Sequence, residues 1–215
     1  MKNMFLRGLS SKPAKSVLFK ELPGAGREIY FVSVNPLNVR GISLLPREPY
    51  LTGLTANTGI YGGAWDWIKK SAFRDVIYQT VQELLNGADV KQTAKFNKTV
   101  KEMSEEKAFV HTNKINTLVD QLSTMGYMSQ YQLGGLEKLR RIGEFRVPGN
   151  EIVIGMDRKG EYLRLMGGRH RLAIAQQIGI KSIPAILTII HKKAVNNLPE
   201  KCRIITGNPE DYRPF

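Results

Sequence analysis

The sequence predicts a mixed α/β (α+β) fold, a small mixed sheet with packed helices and a helical N-terminal extension. Three observations carry that expectation. Ile115, Leu118, Val119, Leu122 and Met125 recur at helical spacing, and Gly126 stops them. Glu151–Met156 and Glu161–Met166 are strand-like runs either side of Asp157-Arg158-Lys159-Gly160, a tight-turn sequence, so they predict a β-hairpin. Gly167-Gly168 then opens a helix over 169–178, and the apolar strand Ile183–Ile190 follows.

Length and composition bound the rest. A chain of 215 residues suits one domain with a modest extension. A single cysteine, Cys202, excludes a disulfide scaffold and fits a reducing, cytoplasmic compartment. No run of about 18 apolar residues predicts a transmembrane helix. Lys and Arg number 32 against 19 Asp and Glu, a formal charge of +13. Such a surplus selects polyanionic partners: nucleic acid, phosphorylated small molecules or an anionic membrane surface.

Along the chain, 1–27 reads as a basic arm. Lys2, Arg7, Lys12, Lys15 and Lys20 precede the first acid, Glu21, a composition that an organellar transit segment shares. Residues 28–111 read as an extension of one strand plus helices. Its strand is Glu28–Val34, ended by Asn35-Pro36, and Pro36–Gly63 reads as long irregular chain. A helix is expected from Asp66, with Phe73, Val76, Ile77, Leu84 and Leu85 on its stripe and Asn86-Gly87 as its stop. A second is expected from Asp89, with Gln92 as capping-box partner and Ala94, Val100 and Met103 as a weak apolar face. Residues 112–192 form the core domain. Its closing strand is expected to return from the 169–178 helix by a right-handed crossover and lie parallel in the sheet. Residues 193–215 read as a surface tail or strap.

The stretch Leu165 to Arg171 carries the chemistry. Two glycines turn the chain, and a helix begins with Arg169, His170 and Arg171. A helix N-terminus leaves N–H groups unpaired and carries about half a positive charge, so cations there repel it. An anion at the same place offsets that repulsion, which makes Gly167, Gly168, Arg169, His170 and Arg171 a candidate phosphate site. His170 is also a candidate general acid or base.

Gly167–His191 (GGRHRLAIAQQIGIKSIPAILTIIH) resembles the signature of the ParB/sulfiredoxin superfamily. Sulfiredoxins carry Gly-Gly-Cys-His-Arg, a helix, then Ile-Pro and a strand, and ParB-type proteins carry a Gly-Glu-Arg-Arg version. The helix around Lys114–Gln121 is similar to the nucleotide-contacting helix of sulfiredoxins. The resemblance spans about residues 112–191. It implies a ParB/sulfiredoxin-like fold, binding of ATP or another nucleotide with Mg²⁺, and nucleotide contacts from Lys114, Thr117 and Gln121. Arg169 stands where sulfiredoxins place the catalytic cysteine, so sulfinic-acid repair is excluded for this chain. The same position departs from the acidic residue of the ParB version, and no helix-turn-helix follows His191. The superfamily also includes amino-acid kinases and nuclease-like proteins.

Tyr61-Gly62-Gly63-Ala64-Trp65-Asp66-Trp67 is the second unusual segment. Trp65 and Trp67 are candidates for binding substrate, with Asp66 as catalytic base; the competing reading makes Asp66 a helix cap and the tryptophans core. His111, His170 and His191 are dispersed, so no metal-ligand set is expected. The resulting expectation is a nucleotide-dependent phosphotransferase, kinase- or NTPase-like, acting on a small anionic substrate. The alternatives are a nucleic-acid-binding or nuclease-like module, resting on the total charge and on Lys138, Arg140, Arg141 and Arg146, and a regulatory protein without catalysis.

Overall fold

The computed structural model of the chain describes residues 20–21, 28–43, 58–67, 69–134, 139–142 and 145–215. Most of the basic arm, and Lys138, lie outside these residues. Nine strands form one mixed sheet: β1 (Lys20–Glu21), β2 (Tyr30–Val34), β3 (Val39–Ser43), β4 (Gly59–Gly62), β5 (Lys69–Ser71), β8 (Val153–Met156), β9 (Tyr162–Met166), β10 (Ile183–His191) and β11 (Cys202–Ile204). Two more, β6 (Leu139–Ile142) and β7 (Phe145–Pro148), pair as a separate antiparallel ribbon that bears the backbone of Arg140, Arg141 and Arg146. The α-helices are α1 (Val76–Leu85), α2 (Ala94–Thr99), α3 (Glu105–Met125) and α4 (Arg169–Gln177).

The predicted hairpin is β8–β9, closed by the Asp157–Gly160 turn. Asp157 organises that turn, accepting hydrogen bonds from Lys159 N and Glu161 N and an ion pair from Lys69. β10 is the central strand. It runs parallel to β8 along one edge; along the other, its first half pairs antiparallel with β2 and its last residues pair parallel with β4. The closing strand is therefore parallel to the first strand of the hairpin, and antiparallel to β9, which feeds α4. The hairpin reversal is the reason: β10 returns one strand beyond its predecessor.

A bulge at Thr188 decides which side chains of β10 face which layer. Ile183, Ala185 and Leu187 pack on one face and Ile186 on the other, in strict alternation. The register then shifts between Leu187 and Ile189, so Ile189 joins Ile186 and Ile190 joins Leu187. Ile183, Leu187, Ile154 and Met156 meet Leu172 and Ala175 of α4. The outer side of α4, with Ala173 and Ile174, packs on Ile77, Val81 and Leu84 of α1 and Ile115, Val119 and Leu122 of α3.

Five expectations are corrected. The 28–111 stretch is not a strand with helices beside the domain: it supplies β2 to β5, and Pro36–Gly63 contains β3 and β4. β3 and β4 are too short for a period to show and have a neighbour on each side, while β5 is a three-residue edge strand with exposed lysines. The helix expected from Asp66 begins ten residues later at Val76, capped by Asp75, whose side chain accepts from Ile77 N at 2.9 Å. Phe73 lies before this helix and, like Leu85, is exposed, while Thr80 is buried in the stripe. The capping box at Asp89 and Gln92 forms, but on a 3₁₀ turn; α2 starts at Ala94 under Thr93 and buries Phe96 instead of Val100. The tail from 193 is structural: β11 pairs with β2, and Ile205 and Tyr212 are buried on the sheet face opposite α4. The boundary at 111/112 falls inside α3.

Candidate functional site

The hairpin fixes two poles. Its Asp157–Gly160 turn lies at one end of β8–β9, and Gly167-Gly168 at the other, separated by the five residues of β9, roughly 15 Å of strand. The sequence candidates divide between these poles.

At the Gly-Gly pole a cleft of about 380 Å³ opens between α3 and the start of α4. Leu118, Leu122 and Met125 line it from α3, Met128, Gln130 and Leu133 from the following segment, and Gly168 to Arg171 from α4. Gly167 (φ 65°) and Gly168 (φ 50°) are both left-handed. A Cβ at Gly168 would stand 2.2 Å from Ile152 Cγ1. Close packing of the turn on the hairpin thus requires glycine there, with or without a ligand.

The repulsion expected among the cations of α4 is met largely within the protein. Arg169 Nε donates to Asp75 Oδ1 at 2.9 Å, and Lys70 Nζ lies 3.1 Å from the other oxygen. Arg171 is buried: its guanidinium pairs with Glu151 at 3.4 Å, donates to Met128 O, and covers the Tyr127 ring at 4.3 Å. Glu151 also accepts from Gln130 N at 2.9 Å and from Tyr127 Oη at 3.3 Å. Desolvation pushes the Glu151 carboxyl up, against the lowering pull of Arg171. Desolvation, then the Glu151 charge, holds the Tyr127 hydroxyl well above its ordinary value, so it stays a donor. Arg171, expected as a phosphate ligand, lines the cleft, and its guanidinium anchors the cleft wall through Glu151 and Met128. His170 is exposed and makes no hydrogen bond among the described residues. Desolvation, then Arg169, Lys95 and Arg164, holds its pKa below the usual imidazole value.

Lys114 and Thr117 do not line the cleft. Both are exposed on α3, and Thr117 Oγ1 donates to Asn113 O. Gln121, one turn further on, does line it. Glu151, Asp75 and Tyr127 escaped the sequence reading. Asp75 alone had a local signal, an N-cap residue just before an apolar periodic run; nothing local marks Glu151, which meets Arg171 only across the fold.

Asp66, Trp65 and Trp67 belong to the hairpin-turn pole. Asp66 is buried on a 3₁₀ turn, Trp65–Trp67. Its carboxylate takes Arg158 Nε at 2.7 Å, Nη2 at 2.6 Å and the Arg158 backbone N–H at 3.1 Å. Burial alone would raise this carboxyl; the hydrogen bonds from the Arg158 side chain and backbone outweigh it and hold it below the carboxylate range. A low-pKa carboxylate in a fork of donors at the opposite pole from His170 cannot act as its partner base, so the two catalytic candidates are not brought together. Trp65 is core, packed over Gly155, and Trp67 is 67% exposed. Cys202 lies on β11, its thiol pushed up by desolvation.

Asp75 is held low like Asp66: burial raises it, and Ile77 N–H, Arg169 and Lys70 outweigh that. Both carboxylates have folded pKa values below the unfolded one, about 3.9. Their contribution is therefore complete above that value and is lost as pH falls through the folded values. Thermal unfolding followed from pH 5 downward should show a steep acid limb, and Asp75→Asn should flatten it. An unchanged acid limb in that variant would assign the acid sensitivity elsewhere.

Among the described residues no helix is long and apolar enough to cross a membrane. Compared with protein-family models, curated proteins and solved structures, the chain matches none.

Proposed function

We propose that the protein binds a nucleotide in the cleft between α3 and the N-terminus of α4. The observation that carries this reading is the two-sided lining: Leu118, Leu122 and Met125 on one wall, and the first turn of α4 on the other. An apolar wall suits a flat base. Unpaired N–H groups at the positive end of a helix dipole suit phosphate. The volume is that of a small-molecule site. The resemblance of residues 112–191 to the ParB/sulfiredoxin superfamily points the same way.

Phosphoryl transfer from that nucleotide to a small anionic acceptor is the activity we propose for the bound state. His170 is the ionisable cleft residue placed to hold or move a proton, since Arg169 and Arg171 are engaged by carboxylates. The cleft lining includes no carboxylate. A Mg²⁺ in this reading rests on the phosphates of the nucleotide, which supply the oxygens this ion prefers.

Thermal unfolding with ATP, ADP or CTP and Mg²⁺ tests the reading. Ligand at about 100 times its Kd adds ~2.7 kcal/mol, a shift of roughly 5–10 °C for a chain of this size. Gln121→Glu, on an exposed residue, should leave the free protein unchanged and weaken the nucleotide several-fold by placing a negative charge in the cleft that takes the anionic ligand. No shift with any of the three nucleotides would remove the proposal.

A further inference from the structure

The pole that the cleft does not use carries its own pattern. Trp67 is 67% exposed, while the other tryptophan, Trp65, is fully buried. The Arg158 guanidinium covers one face of the Trp67 ring at 4.4 Å. Arg158 is itself fixed in place: Asp66 grips it bidentately, and it donates to Gly63 O at 2.8 Å. His191 reaches the same carbonyl at 3.4 Å through Nε2, and its Nδ1 accepts from Lys193 N at 3.2 Å. The 3₁₀ turn Lys192–Asn197 thereby begins beside Arg158, and Asn197 approaches Gly160 of the hairpin turn. Lys159, Lys192 and Lys193 are all exposed at this end.

The acids of this pole do not cancel those lysines. Asp66 and Asp157 are buried and are spent on Arg158 and Lys69. Glu161 lies 3.8 Å from the same Lys69. Among the described residues no carboxylate pairs with Lys159, Lys192 or Lys193. The surface therefore presents a rigidly backed aromatic face within a cationic rim.

We propose that this surface binds single-stranded nucleic acid, with a base stacked on the open face of Trp67 and phosphates on Lys159, Lys192 and Lys193. Every base offers a flat face, so such a platform binds strands with little sequence preference. The Arg158 backing holds the ring in one orientation and makes it a stacking platform before any ligand arrives. An anionic membrane shares the charge but fits less well. Insertion needs several exposed apolar residues side by side, whereas the exposed residues named around Trp67 at this end are Lys159, Lys192 and Lys193. The site is separate from the cleft, so it stands or falls independently of nucleotide binding there.

Tryptophan fluorescence of the intact chain is the test, because Trp67 is the exposed one of two. An oligothymidylate of about 12 nucleotides should quench it at about 50 mM salt, and the affinity should fall steeply toward 200 mM. Trp67→Ala should fold normally, since the ring is mostly outside the core. In that variant, affinity read by the anisotropy of a labelled oligonucleotide should fall about tenfold or more. Lys159, Lys192 and Lys193 replaced together by Ala should reduce both the affinity and its salt dependence. Saturating ATP should leave oligonucleotide binding unchanged. Absence of quenching at low salt overturns the proposal, as does undiminished affinity in both variants, which would place the contact on another basic segment. Quenching by phosphatidylserine vesicles but not by the oligonucleotide would also overturn it, in favour of a membrane surface.

Discussion

Glu151→Ala is expected to lower folding stability by about 3–5 kcal/mol, the scale for leaving a buried charge without its partner. Glu151 is 1% exposed and is the only carboxylate within reach of Arg171 among the described residues. Its removal also frees Gln130 N–H and Tyr127 Oη, two donors in the same buried cluster. The consequence extends to the cleft. The segment from Tyr127 to Leu133 forms one cleft wall, and the Glu151–Arg171 pair is what fastens it between the hairpin and α4. Urea unfolding should show the full loss in Glu151→Ala. Glu151→Gln should lose less, because an amide oxygen still accepts from Gln130 N–H. A loss below about 1 kcal/mol in the alanine variant would show that the pair does not hold the wall.

Gly168→Ala is expected to cost about 2–5 kcal/mol, from two separate sources. A left-handed backbone costs a residue with a Cβ about 1–2 kcal/mol. The new methyl would also stand 2.2 Å from Ile152 Cγ1, and overpacking of that kind costs about 1–3 kcal/mol. Gly179→Ala separates the two. Gly179 is also left-handed (φ 74°), but a Cβ there meets nothing within 4 Å, so only the backbone cost should appear. A double-mutant cycle with Ile152→Ala adds a second check: truncating Ile152 should cost less in the Gly168→Ala background than in the native chain. Equal losses at Gly168 and Gly179 would deny the packing role.

These two expectations show where the local reading ran out. The Gly-Gly turn was legible, and so were the hairpin, the second half of α3 from Ile115 to Met125 and the central strand β10, whereas the first ten residues of α3 were not. Each announces itself by a repeat of two or about 3.6 residues, or by a turn residue at a fixed offset. The strands β3, β4, β5 and β11 were not legible. They are three to five residues long, and their neighbours in the sheet come from distant parts of the chain. The tail from residue 193 looked like surface because Gly, Pro and charge dominate it. Tyr212 nevertheless packs edge-on against Phe31 at 5.7 Å, a contact that no spacing within the tail announces.

The +13 charge follows the same division. By itself the sequence determined that cations crowd the start of α4, and that Trp65-Asp66-Trp67 follows a glycine pair. Only the tertiary structure decided which of those charges are already answered. Arg169 finds Asp75 across 94 residues, and Arg158 finds Asp66 across 92. Arg171 finds Glu151 on the neighbouring strand end. Periodicity reports on residues a few positions apart along one element, whereas a Coulomb partner is fixed by distance in space. The lysines left over at the hairpin-turn pole, and His170 at the cleft, are what the fold leaves open to other molecules.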